Sequence, residues 1–173
     1  MTRSDTFRRT SNTTTGGRGF TLIEVLVTLV ILSLSALGMA SLQAVALRTN
    51  NDALLESLAA TLAQDVIERI RANPAGDYTT TFDAANLLVN VPSCKGLAAD
   101  CDAVAMVQDD LRDWKCYLGV VAMSTVCATR GIAGQLPGGD GTITVAGNTY
   151  TISIRWIDAA SNATRPIIFT TVI

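Results

Sequence analysis

The chain has 173 residues, a formal net charge of −2 and no histidine. At 16% charged residues it falls below the roughly 25% usual for globular domains, while 49% of it is hydrophobic and its mean hydropathy is +0.34. The missing histidines exclude Ser-His-Asp and Cys-His catalysis and every His-ligated metal site, and the length leaves room for one domain with an appendage.

Residues 1–19 are polar and rich in Ser, Thr and Asn, with Arg3, Arg8, Arg9 and Arg18 against Asp5. The apolar excess comes next: 20 of the 28 residues from Phe20 to Leu47 are hydrophobic, and Val25–Leu47 is 23 residues without a charge. Roughly 20 apolar residues at 1.5 Å each cross a bilayer core of about 30 Å, so the segment is long enough to span one; a buried core helix of that length would need a far larger domain around it. By the positive-inside rule the arginines keep the amino-terminal end in the cytoplasm and the carboxyl-terminal side is exported. A secretory signal carries its small-residue cleavage site after the apolar run, but here Gly16, Gly17 and Gly19 stand before it. Glu24 lies inside the run, four positions past Phe20. A carboxylate in a membrane segment costs on the order of 2.5–3.5 kcal/mol on insertion scales, so it calls for a cationic partner unless it snorkels to the nearby interface. Ser33, Ser35, Gly38 and Ser41 either permit close helix approach or local unwinding, or are simply tolerated there.

Leu54, Leu58, Leu62, Val66 and Ile70 recur every four residues, with Leu55 and Ile67 beside them. Asp52, Glu56, Gln64, Asp65, Glu68, Arg69 and Arg71 take much of the remaining surface, which makes an amphipathic helix with one apolar stripe. Asn73-Pro74 ends it, because the residue before proline disfavours helical geometry. The spacing predicts one helix from Phe20 to Ala72, about 80 Å long, greasy all round in its first half and one-sided in its second.

From residue 74 onward turn residues and all four cysteines appear. Cys94, Cys101, Cys116 and Cys127 allow three pairings; Cys94–Cys101 with Cys116–Cys127 is preferred because each closes a short local loop. Their spacing lacks the close pairs of a four-cysteine metal site, and bridges are expected in an exported head of about 100 residues with a limited core. Val107, Leu111, Trp114 and Leu118 share one face of a predicted helix over 107–118, with Asp109, Asp110 and Asp113 expected on its solvated side. Thr142–Val145 and Tyr150–Trp156 alternate as strands around a Gly147-Asn148 turn, with Tyr150, Ile152, Ile154 and Trp156 on the buried side. Ile167–Val172 supplies a third strand after Pro166, and the three form a meander over the amphipathic half of the long helix. Pro137–Gly141 has neither the spacing nor the lysine of a phosphate loop.

Gly19-Phe20-Thr21-Leu22-Ile23-Glu24-Val25-Leu26-Val27 resembles the processing motif of type IV prepilins. That resemblance implies a prepilin peptidase that cuts after Gly19 and methylates the new terminal Phe20. It implies that Glu24 sets subunit registry by pairing with the terminal amine of a neighbouring subunit, an arrangement in which each charge offsets the other's desolvation. It also implies the type IV pilin-like α+β fold: a leader over 1–19, a transmembrane or filament-core half-helix over 20–47, an amphipathic half over 48–73 and a disulfide-containing periplasmic head over 74–173 with an antiparallel meander. Asp65–Asn73, Asp110-Leu111-Arg112-Asp113-Trp114, Leu136-Pro137-Gly138-Gly139 and the strand ending in Trp156 further resemble the PilV-type minor pilins. Such a subunit primes a pilus near its tip with other minor pilins, the major pilin, a tip adhesin and the inner-membrane assembly platform. A minor pseudopilin of a type II secretion system shares the same amino-terminal logic. Without residues 1–19 the chain has nine basic and fourteen acidic residues, which argues against nucleic-acid binding. No catalytic constellation and no cofactor site is expected.

Overall fold

The computed structural model describes residues 19–83, 93–95, 101–159 and 161–173; the expectations for residues 1–18 of the arginine-rich leader lie outside them. The chain divides into two compact units, 1–46 and 47–173, and helix α1 (Leu22–Ala72) supplies residues to both.

In the first unit, α1 starts at Leu22 and not at Phe20. Thr21 is the reason: its Oγ1 accepts the Glu24 N–H at 3.3 Å, and its carbonyl accepts the Val25 N–H at 3.2 Å. A side-chain oxygen at this position satisfies one of the amides that a helix start leaves unpaired. Every residue of α1 in this unit is exposed, and the helix contains an 18-residue window of mean hydropathy 2.3. The hydroxyls of Thr28, Ser33 and Ser35 donate to the carbonyls of Val25, Val30 and Ile31 at 2.8, 2.8 and 2.9 Å, so these polar atoms are satisfied within the helix itself.

In the second unit, α1 buries Leu55, Ala59, Leu62, Ala63, Val66 and Ile70. Leu54, expected in the stripe, is 56% exposed, and Leu58 is half-buried. A helix turns about 100° per residue, so a strict four-residue row drifts about 40° at each step; mixing steps of three and four, as Leu55, Ala59, Leu62, Val66 and Ile70 do, holds one face. α1 ends at Ala72 ahead of Asn73-Pro74, where the Asn73 side-chain amide donates to the Ala103 carbonyl at 2.9 Å.

Helix α2 (Ala103–Leu118) begins one turn earlier than the 107–118 expected, because Asp102 caps it and accepts the Ala105 N–H at 2.8 Å. It stops at Gly119, whose φ of 103° is left-handed and whose Cβ, if it had one, would lie 2.5 Å from the Leu136 carbonyl oxygen. A 3₁₀ turn (Val121–Met123) and the short helix α3 (Ser124–Thr129) follow. Strands β1 (Asp140–Ala146), β2 (Thr149–Ile157) and β3 (Thr164–Val172) form the expected antiparallel meander in the order β1-β2-β3. Ile143 stands opposite Ile152, and Ile152 opposite Phe169. Gly147 takes φ 62° in the two-residue β1–β2 turn. β3 starts ahead of Pro166, which pairs with Arg155; an edge strand tolerates proline because one side of it needs no ladder bond. Thr80 bridges the outer side of β1, exchanging two 3.0 Å hydrogen bonds with Ile143.

Ile143, Ile152, Ile154 and Trp156 on the inner sheet face join the apolar face of α1 and Val107, Leu111, Trp114 and Leu118 of α2 in one core. The indole N–H of the fully buried Trp114 donates to the Leu62 carbonyl of α1 at 2.9 Å. Gly141 of β1 makes room for that indole, since a Cβ there would sit 2.5 Å from its Cη2. The architecture is the expected α+β one, a long amino-terminal helix with an apolar span and a small antiparallel sheet head.

Candidate functional site

Gly19, Phe20 and Glu24 lie together at the start of α1 in the first unit. Phe20 is 81% exposed, and among the described residues, its chain neighbours aside, no atom stands within 4 Å of where a Cβ on Gly19 would be. Glu24 occupies the third helical position, three residues after the cap. Thr21-Leu22-Ile23-Glu24 is therefore the Ser/Thr-x-x-Glu spacing of a capping box, a signal present in the sequence that singles out Thr21 beside the glutamate. A carboxylate in the first turn also interacts favourably with the helix dipole, by about 0.3–1 kcal/mol at an exposed site. Among the described residues no ion pair involves Glu24.

The four cysteines lie in the second unit as two bridges, Cys94–Cys101 and Cys116–Cys127. They bracket α2: Cys101 directly precedes the capping Asp102, and Cys116 sits in the last turn. This placement overturns the expected solvated face. Asp109 and Asp113 are buried, Asp110 is half-buried, and all six residues from Leu111 to Cys116 are buried. The segments that carry the cysteines cover the polar side. Asp109 pairs with Arg112 and, at 3.1 Å, with Arg130, and accepts the Cys94 amide at 3.2 Å. Asp113 pairs with Lys95 and, at 2.9 Å, with Arg130. Burial pushes the Asp113 carboxyl up, but the hydrogen bonds from Lys95 and Arg130 outweigh it and hold the group below the usual aspartate value. Asp110 accepts from Arg69 at 2.8 Å and from the Tyr78 hydroxyl at 2.7 Å; burial and that carboxylate both push the Tyr78 hydroxyl well above its ordinary range.

A second charged cluster joins α2 to the sheet. Lys115 is fully buried, and its ammonium donates to Asp140 at 2.6 Å, to the Thr81 carbonyl at 2.8 Å and to the Gly141 carbonyl at 2.5 Å. Burial lowers its affinity for the proton, partly countered by Asp140. Asp140 also accepts the Asp83 and Gly141 amides at 2.8 and 2.7 Å. Arg155 stacks 4.0 Å over the Phe82 ring and pairs with Asp83. All three ammonium protons are used, which makes the cluster a structural joint. Among the described residues no group of three or more His, Cys, Asp or Glu is placed to hold a metal ion.

Two family models match the chain. The prokaryotic N-terminal methylation motif covers residues 16–40, and the Tt1218-like model, described as type IV pilin Tt1218, covers residues 41–112. No curated protein and no solved structure matches.

Proposed function

We propose, from the premise that the chain is a type IV prepilin-like protein, that it is a minor pilin which primes pilus assembly and sits near the pilus tip. A type IV pilin with the methylation motif implies processing by prepilin peptidase and handling by the pilus assembly machinery, and its apolar amino-terminal helix fits membrane anchoring before the pilus. In this reading the peptidase cuts after Gly19 at the cytoplasmic face, and Phe20 becomes the methylated terminus. Glu24 then takes the terminal amine of a neighbouring subunit as its cation. Before assembly the chain crosses the inner membrane once, with its head in the periplasm; afterwards it belongs to the cell-surface pilus, in contact with other minor pilins, the major pilin and a tip adhesin. It works as a structural subunit and as the peptidase's substrate.

The observation that carries this reading is a lone carboxylate at the start of a helix whose whole apolar half is exposed. Lipid or other helices must cover that half, and a cation from another chain suits the carboxylate. The likeness of residues 65–73, 110–114 and 136–139 to PilV-type subunits supports the minor role. A minor pseudopilin of a type II secretion system is the second reading, favoured by the shared processing motif but not by those three segments. Deleting the gene and scoring surface pili, twitching motility and secreted enzymes separates the two. Lost piliation with normal secretion is expected, and intact pili with failed secretion would overturn the choice.

A further inference from the structure

The chain beside each disulfide contacts the same two buried carboxylates, with one cation from each side on Asp113. Cys94 donates its own amide to Asp109 at 3.2 Å, and the next residue, Lys95, pairs with Asp113. Cys127 lies three residues before Arg130, whose Nε reaches Asp113 at 2.9 Å and whose Nη2 reaches Asp109 at 3.1 Å. The side chains of Asp113 and Asp109 are 1% and 7% exposed. We propose that the two bridges are energetically linked through Asp109 and Asp113, so that closing either one makes the other harder to reduce and the head is oxidised as a unit.

The sign of the linkage follows from burial. Two cations sharing one solvated anion weaken each other's binding. Here, however, the covering segments are also what keep water from the carboxylates. When one bridge opens, its segment is released and water reaches Asp113. The remaining ion pair then changes from a contact on a buried carboxylate to a surface one of small worth. The segment that still carries its bridge loses part of its hold on α2, and reciprocity requires the same factor in both directions.

The test is a redox titration of the full-length chain in detergent against glutathione and glutathione disulfide. Each closure passes two electrons and two protons from a cysteine pair to glutathione disulfide, which leaves as two glutathione thiols. Alkylation of trapped thiols and peptide mass spectrometry report each bridge separately, while the fluorescence of Trp114 and Trp156 reports the fold. Replacing the second bridge (Cys116→Ala with Cys127→Ala) is expected to lower the equilibrium constant for Cys94–Cys101 by about fivefold, within the range of coupling between contacting groups. In the Asp113→Asn background that factor shrinks towards one. Lys95→Gln, at a 59% exposed side chain, supplies the same comparison if Asp113→Asn fails to fold. If the bridge-deleted chain itself does not fold, the wild-type titration decides: singly bridged species must be scarcer than two independent bridges allow. A factor of one or below, a factor unchanged by Asp113→Asn and Lys95→Gln, or singly bridged species at their independent level overturns the proposal.

Discussion

Lys115→Met removes the buried ammonium while keeping nearly the same side-chain volume, and the three contacts of that ammonium set the cost. The Thr81 and Gly141 carbonyls each lose a donor, at about 1 kcal/mol apiece. Asp140, with a side chain only 6% exposed, keeps two backbone amides but loses its closest cation, since Arg155 stands 3.5 Å away. Breaking a buried pair from one side costs about 3–5 kcal/mol, which for a unit of this size lowers the melting temperature by about 10–20 °C. Guanidinium titration of the full-length chain in detergent, followed by the fluorescence of Trp114 and Trp156, measures the loss. In the double variant Lys115→Met with Asp140→Asn no anion is left without a counter-ion, so it should be more stable than the Lys115→Met single variant. A loss below about 1 kcal/mol for Lys115→Met, or a double variant weaker than the sum of its parts, would refute the view of this cluster as a tightly coupled joint.

Gly19→Val should leave the precursor uncut, visible on a gel as a band heavier by residues 1–19, whereas Glu24→Ala should be cut normally yet enter pili poorly; mature-size Gly19→Val or full incorporation of Glu24→Ala contradicts the assigned roles. Leu55→Ala should cost about 2–3 kcal/mol and Leu54→Ala less than about 0.5 kcal/mol, read from denaturation midpoints; the reverse order would mean that the core lies on the other row. Because the folded Asp113 carboxyl titrates below its unfolded value near 3.9, its stabilisation is present above about pH 4 and is lost as the pH falls through the folded value. Midpoints measured against pH should therefore decline below about pH 4, and by less in Asp113→Asn; a wild-type chain that gains stability on acidification contradicts the pairing.

Hydrophobic period and turn residues made the helix end at Ala72, the buried face of α2 and the meander readable directly. Misplacements arose where a tertiary partner or a cap decided. Leu54 fits a four-residue row, yet the rotation of a real helix favours Leu55. The acids of α2 look like a solvent face because Arg69, Lys95 and Arg130, which pair with them, are brought in from outside the helix, and no periodicity within α2 can show that. The starts of α1 and α2 moved with Thr21 and Asp102, whose side chains choose the first helical residue. α3 is too short to display a period. At the amino terminus Gly19 and Glu24 stand out in the sequence because they violate local expectation, a flexible residue before a rigid helix and a charge inside grease.

The two margins of the sheet meet different hazards. Thr80 closes off β1, whereas among the described residues no strand pairs with the far side of β3. From Ile167 in that strand to Ile173 just past its end the chain reads Ile-Ile-Phe-Thr-Thr-Val-Ile, seven residues without a charge, proline or glycine. Such a stretch is the composition from which cross-β stacks nucleate. The gatekeepers stand only at its beginning, where Arg165 is tethered to Asp158 at 2.9 Å and Pro166 withholds a donor. A head that meets its own copies at high concentration thus carries a template for illicit strand exchange, and its solubility depends on how quickly Ile167 and Phe169 turn inward onto the core.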